Sequence, residues 1–361
     1  MKEFIAKLFG LRKDDALRDM RILNLEPSYL CNLKCLMCQR NVRDHKKGLM
    51  SLDCFKQMEP YLSRFTHVVL TGAGEPLFNK DLPEMVRRVR AQGALPCLTT
   101  NATMLTQEFA HMLLSAGIDH LTVSIDAGTK ETYEHIRVGA TWEMVLENAK
   151  QFNELRKTLP GNLCPSGTMW AFVLMRDNFR ELPMAVRKAA ECGFSAVLTN
   201  FISINMVDYE KTQMLHSDDG NLLPDVKDEF EAVMKEAKAE ADRVGVALTP
   251  MPYFMENTGY GCQFAIKDIF IDWMGNVTPC CLRPVHDEDA ERSADHLFGN
   301  IMTQSFEDIL RGRRYRAYRQ AWLSHTLPAT CRTCYMRHRI HPSFYQAGNS
   351  NGSSCCSCCK E

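Results

Sequence analysis

Between residues 21 and about 202 the chain alternates six times between a short β-rich run and an amphipathic helical stretch. The strand candidates are RILNLEPS (21–28), HVVLTGAG (67–74), LPCLTTNA (95–102), HLTVSIDA (120–127), MWAFVLM (169–175) and SAVLTNFI (195–202). Between them lie DLPEMVRRVRAQG, QEFAHMLLSAG, WEMVLENAKQFNEL and RELPMAVRKAAECG, each closed by a Gly or a polar break as helix ends should be. Strands joined through helices pair in parallel, with right-handed crossovers. An open sheet and a partial barrel both satisfy this pattern. A further helix is expected over 224–244, where Phe230, Val233, Met234, Ala237, Ala241 and Val244 form one stripe.

Polar groups gather where these strands end. The first strand runs into a loop at Cys31, the second into GAGEP, the third into TTN and the fourth into SID. Reactive groups of parallel α/β barrels sit in the loops after the carboxyl ends of strands. Ordinary strand-to-helix turns would account for one or two such polar ends; four in succession point to one shared mouth.

The 43 basic and 44 acidic residues nearly cancel, so no global field draws the chain to nucleic acid or to a membrane surface. No apolar run reaches the roughly 18 residues of a membrane span. The opening MKEFIAKLFGLR interleaves charge with Phe4, Ile5, Leu8, Phe9 and Leu11. It reads as an amphipathic helix over 1–20 that packs on the body, with a membrane-surface anchor as the other reading. Sixteen cysteines without a secretion signal argue for a cytoplasmic protein with metal or redox chemistry, since disulfide frameworks belong to small exported chains. Cys54, Cys97, Cys164 and Cys192 stand alone and read as small buried residues.

CNLKCLMC (31–38) places three thiols in eight positions, with no histidine nearby. A structural zinc site is closed by four ligands. A cubane iron–sulfur cluster held by three thiolates keeps one iron open to an outside ligand, which suits the mouth of an α/β barrel. A zinc knob is the alternative.

CNLKCLMC after a first strand resembles the CxxxCxxC signature of the radical S-adenosylmethionine (radical SAM) enzymes. The resemblance implies a partial (β/α)6, TIM-like barrel over 21–250. It also implies a 4Fe–4S cluster on Cys31, Cys35 and Cys38, whose open iron binds the amino and carboxylate groups of SAM. Reductive cleavage of SAM would then yield a 5′-deoxyadenosyl radical that abstracts hydrogen from a substrate. Met37 stands where the family often has an aromatic residue. GAGEP is similar to the family's GGE segment, with Gly72, Gly74 and Glu75 in place and Ala73 for a glycine. TTNATML is similar to its TNG segment, keeping Asn101 but with Ala102 for the glycine. SIDAGTKETYEHIR is similar to its fourth-strand segment, which implies SAM contacts at Ser124, Asp126 and Arg137; a surface arginine is the other reading of Arg137. Such residues supply donors for a carboxylate and acceptors for an ammonium and ribose hydroxyls.

Past residue 250 the chain turns to short strands, turns and cysteines. Twelve residues separate Cys262 from Gly275, four more lead to Cys280, and fifty separate Cys280 from the pair Cys331 and Cys334. Spacing alone allows zinc or iron–sulfur. Together with FGNIMTQSFEDILRG, the pattern resembles the SPASM and twitch extensions of radical SAM enzymes. This implies a small module over 251–345 holding one auxiliary 4Fe–4S cluster on Cys262, Cys280, Cys331 and Cys334, with Cys281 a spare. RGRRYRAYRQAW reads as a solvated amphipathic helix beside that cluster rather than an RNA-binding patch. GNSNGSS and CCSCCKE form a flexible cysteine-rich tail over 346–361. The implied activity is hydrogen abstraction leading to oxidation or epimerisation of a small molecule, with a flavodoxin- or ferredoxin-type electron donor. A maturase acting on a ribosomal peptide, and a non-catalytic iron–sulfur or zinc carrier, are the alternatives.

Overall fold

The computed structural model describes residues 20–42, 46–202, 207–217, 222–250, 267–281, 296–323, 328 and 331. Seven strands follow one another in both chain and sheet order: β1 (Ile22–Leu25), β2 (His67–Leu70), β3 (Leu95–Thr100), β4 (His120–Ser124), β5 (Thr168–Leu174), β6 (Ala196–Phe201) and β7 (Ala247–Pro250). All adjacent pairs among them are parallel. On the other side of β1, β8 (Asp268–Ile271) joins in parallel, and the antiparallel β9 (Asn276–Thr278) and β10 (Gly299–Asn300) extend the sheet. The sheet stays open, as a partial barrel does. A single direction of winding keeps every crossover helix on one face.

The crossovers and flanking segments carry α1 (Leu52–Lys56), α2 (Leu82–Ala91), α3 (Gln107–Ala116), α4 (Lys130–Ile136), α5 (Trp142–Thr158), α6 (Leu182–Glu191), α7 (Asp208–Gln213), α8 (Lys227–Val244), α9 (Phe306–Arg311) and α10 (Arg313–Leu323). Local chemistry sets their ends. The side chains of Ser51, Thr106 and Thr129 each accept the amide hydrogen three residues on and so cap α1, α3 and α4. Gly117 ends α3 at φ +88, where a side chain would strain the backbone.

Alternation along the strands gives the sheet two unlike faces. Leu23, Leu25, Val68, Leu70, Leu98, Leu121, Val123, Trp170, Phe172 and Val197 are buried together with helix residues such as Val86, Leu113, Phe152 and Val186. The register puts Asn24 beside Val69, Val69 beside Cys97, and Ser124 beside Ala171 on the opposite, inner face. Much of this inner face is only half-buried, including Asn24, Val69, Thr99, Ser124, Met169, Ala171, Leu198 and Asn200. Cys54, Cys164 and Cys192 are buried as expected, whereas Cys97 is half-buried on this inner face.

The six expected strands are all present. β7 is a seventh, which four residues ending in proline did not reveal. Cys262, Cys334, the N-terminal helix over 1–20 except Met20, and the 346–361 tail lie outside the described residues. Among the described residues no helix is long and apolar enough to cross a membrane.

Candidate cofactor site at the strand ends

β1 leads through Glu26 into the 27–38 loop, and main-chain bonds from three directions hold that loop in place. Tyr29 N–H donates to Gly48 O (3.0 Å), Glu75 N–H to Leu30 O (2.7 Å), and Lys34 and Leu36 N–H to Val138 and Ile136 O at and just past the end of α4 (2.9 and 3.0 Å). The approach of the GAGEP segment is close: a Cβ on Gly74 would lie 2.3 Å from Ser28 O and 2.6 Å from Leu30 O. Glycine is therefore required at 74 by the path of the cysteine loop itself.

The thiols receive polar contacts. Leu33 N–H and Asn101 Nδ2 point at Cys31 Sγ (3.4 and 3.7 Å), and Arg137 Nη1 lies 4.0 Å from Cys35 Sγ. As plain thiols Cys31 and Cys35 are held protonated. Burial pushes Cys35 up to about 11 against the pull of Arg137, and burial likewise raises Cys31 against the Leu33 amide and Arg40. Metal-bound thiolates are stabilised by such N–H donors and nearby cations. Among the described residues no three His, Cys, Asp or Glu groups converge as one ion would require. A cubane gives each thiolate its own iron and does not need that convergence. Three soft donors on one loop, with N–H groups aimed at two of the sulfurs, fit a cluster.

Around the cysteines the remaining candidates divide into two kinds. Glu75 is fully buried; its carboxylate accepts from Thr100 Oγ1 (2.6 Å), Asn101 N (2.7 Å) and Leu77 N (3.2 Å). Burial raises its pKa, opposed by those same bonds. Glu75 thus ties the 72–75 segment to the end of β3, and the half-buried groups of Thr71–Gly74 are the part of that segment nearer solvent. Asp126 is also sealed: Oδ2 accepts from Arg137 Nε (2.8 Å) and Nη2, and Oδ1 from Val173 N (2.8 Å). Burial disfavours the charge on Arg137, yet the anionic groups around it, Asp126 first, carry its pKa upward. Its Nη1 remains directed at Cys35.

Asn101 bonds Asn32 Oδ1 (3.2 Å), and Asn32 in turn bonds Thr103 Oγ1 (2.8 Å), linking the third strand end to the cysteine loop. Ser124 sits half-buried at the end of β4. Ala102 adopts φ +58, the left-handed conformation that glycine takes freely. Met37 packs with Ile136, Met175 and Ile202, giving the mouth an apolar wall beside its polar groups.

In the C-terminal region Cys280 and Cys281 are half-buried after β9, and Cys331 is buried with Sγ 3.6 Å from Tyr318 Oη. α10 buries Tyr315, Tyr318, Arg319 and Trp322 and exposes Arg313, Arg314 and Arg316. It is the amphipathic helix expected there, its arginine side in solvent and its aromatic side packed on Phe298, with Tyr318 reaching Cys331; Arg319 is the one arginine it buries.

Glu26, Asn32, Thr100 and Thr103 were not anticipated. A lone carboxylate closing an apolar strand, as in RILNLE, is a signal that could have marked Glu26.

Comparison with known proteins agrees with this geometry. Residues 25–163 match the radical SAM superfamily model, and residues 262–335 match that of the SPASM iron–sulfur cluster-binding domain. A tungsten-containing aldehyde ferredoxin oxidoreductase cofactor-modifying protein of Pyrococcus furiosus is 26% identical over 332 residues, covering 88% of each chain. An AdoMet-dependent heme synthase of Methanosarcina barkeri is 24% identical over 307 residues, covering 80% of this chain and 81% of its own. In fold, the chain is similar to Streptococcus suis SuiB bound to S-adenosylmethionine. The TM-score is 0.66 at 13% identity, over 92% of this chain and 74% of that one.

Proposed function

Because this chain belongs to the radical SAM superfamily and carries a C-terminal SPASM domain, we propose that it is an enzyme that oxidises or epimerises a small organic molecule by hydrogen abstraction. The two domains imply a SAM-binding 4Fe–4S cluster, SAM, and auxiliary iron–sulfur binding. When bound, the reduced cluster and SAM supply a one-electron cleavage whose product takes hydrogen from the substrate.

The chain's own residues have separable tasks. Cys31, Cys35 and Cys38 hold the cluster, with Arg137 and Arg40 balancing its negative charge. Gly72, Gly74, Asn101 and Ser124 present main-chain and side-chain groups to the zwitterionic end and ribose of SAM. Glu75 and Asp126 act one step back, fixing Asn101 and Arg137. Cys262, Cys280, Cys331 and Cys334 hold a single auxiliary cluster that passes electrons, and a flavodoxin- or ferredoxin-type protein delivers them.

The observation that carries this reading is the convergence of two strand ends and the C-terminal end of α4 on the thiol loop: Asn101 at Cys31, Glu75 at Leu30, and Arg137 at Cys35. A small-molecule substrate is supported by the half-buried inner face, where Asn24, Thr99, Ser124 and Asn200 alternate with Val69, Met169 and Ala171. Two relatives that match most of the chain are named for work on a cofactor and on heme, not on a peptide.

The test is anaerobic reconstitution followed by reduction in the presence of SAM. The wild-type chain forms 5′-deoxyadenosine; a chain with Cys31, Cys35 and Cys38 all changed to alanine forms none. That variant keeps about four irons, the content of one cubane on the C-terminal cysteines. Undiminished cleavage in the triple variant overturns the site, and zinc in place of the remaining iron turns the auxiliary centre into a structural knob.

A further inference from the structure

Glu26 closes β1, is almost wholly buried, and touches both matched regions of the chain. Its Oε1 accepts from Ala73 N–H (2.8 Å), inside the GAGEP segment. Its Oε2 accepts from Trp273 N–H (3.4 Å), in the β8–β9 turn of the C-terminal region. The fit to the GAGEP segment is tight enough to dictate sequence: a Cβ on Gly72 would fall 2.2 Å from Glu26 Cγ and 2.4 Å from Oε1.

Trp273 makes the second half of the joint. A Cβ on Gly48 would lie 2.2 Å from Trp273 Cζ3 and 2.4 Å from Cη2, so the 46–50 segment runs directly against the indole. That segment is bonded to the start of the cysteine loop through Gly48 O to Tyr29 N–H and Met50 N–H to Pro27 O. Asp272 holds the turn itself, accepting from Met274 N, Asn276 N and Asn276 Nδ2. One short turn of the C-terminal region therefore braces two mouth segments at once: GAGEP through the Glu26 carboxylate, and the cysteine loop through Gly48.

We propose that Glu26 and Trp273 form a coupling joint through which the seating of the C-terminal region sets the affinity of the N-terminal site for SAM. Glu26 is a positioning residue: it reaches the cofactor only through the Gly72–Gly74 main chain that it fixes. The carboxylate is suited to this because it alone offers two acceptors to two amide donors. A glutamine would turn an N–H₂ toward one of them and lose that bond. The inference rests on the reading that SAM binds at the strand ends.

The experiment uses the full, anaerobically reconstituted chain. SAM affinity is read from the change SAM makes in the electron paramagnetic resonance signal of the reduced cluster, with iron content measured on the same samples. Glu26→Gln should weaken SAM about tenfold, the usual scale for a group acting one shell out, with iron content unchanged. Trp273→Ala, in the C-terminal region and partly exposed, should weaken SAM at least threefold. It decides the matter alone if Glu26→Gln does not fold. Asp268→Asn, on the neighbouring strand but at its far end, should leave SAM affinity unchanged. Equal SAM affinity in wild type, Glu26→Gln and Trp273→Ala overturns the joint while leaving the site intact. A wild-type signal indifferent to SAM overturns the site and the joint together.

Discussion

Both ends of the sheet bury carboxylates, and Asp268 at the amino end differs from Glu75 and Asp126 at the carboxyl end. At the carboxyl end, every oxygen of Glu75 and Asp126 has a donor: Thr100, Leu77 and Asn101 for one, Arg137 and Val173 for the other. At the amino end, Asp268 opens β8 just as deeply buried, yet its Oδ1 finds no partner among the described residues. Burial pushes it up to about 7, only partly opposed by Asn24 and Lys267. His67 and His120, on the same end of β2 and β4, are shifted down by burial and so stay neutral. A buried charge is costly unless it is paired and hydrogen-bonded. At the mouth each of these carboxylate oxygens has its donor; at the floor Asp119 is likewise held, by Arg90 and Ser166, and Asp268 is the carboxylate left an oxygen short among the described residues.

The sharpest way to break this contrast is at Asp126. Asp126→Asn leaves the largely buried Arg137 guanidinium without its carboxylate partner and should destabilise the fold by about 3 kcal/mol, measured by denaturant titration. A loss under about 1 kcal/mol would mean that the mouth depends on its pairing no more than an exposed surface does.

Asp268→Asn should do the reverse. The folded pKa near 7 exceeds the unfolded value of about 3.9. Between those values the folded state holds a proton the unfolded chain has released, so this group's contribution falls as pH rises from about 4 to 7 and stays low above. The substitution should therefore stabilise by roughly 1–3 kcal/mol at pH 8 and by almost nothing at pH 4. A stability difference that does not change with pH would show that Asp268 is satisfied after all.

The smallest effect is expected at Ala102. Glycine relieves about 1–2 kcal/mol of left-handed strain but removes a buried methyl worth about 0.8 kcal/mol and adds freedom to the unfolded chain. The unfolding free energy of Ala102→Gly, read from its thermal transition, should change by less than about 1 kcal/mol. A larger loss would make that methyl a packing contact on which the third strand end relies.

The alternation of period made the strands and helices readable, because each strand's helix-facing side is strongly apolar: Leu23, Val68, Leu98, Leu121 and Trp170 would read as core in any chain. The cysteine spacing likewise marked the mouth. What could not be read was direction. GAGEP and SID announce carboxylates at strand ends, but whether Glu75 faces a ligand or the backbone of Asn101 depends on loop dihedrals that no periodicity encodes. Glu26 escaped notice for a related reason: its partners Ala73 and Trp273 come from opposite sides of β1, and the second is remote in sequence. The same distance hid the parallel pairing of β8 with β1.

That pairing bears on how the chain can be made. β1 emerges first among the ten described strands yet lies inside the sheet, with one neighbour supplied by His67–Leu70 and the other not until Asp268–Ile271. Throughout synthesis of the intervening segments its second edge offers open backbone groups, the kind of template on which nascent chains aggregate. The last strands therefore act as the clasp of the fold, and a protein cut after β7 would carry that unprotected edge permanently. Expression of the N-terminal barrel by itself should favour insoluble material, and the cell meets a slow, long-range closing step each time it makes this protein.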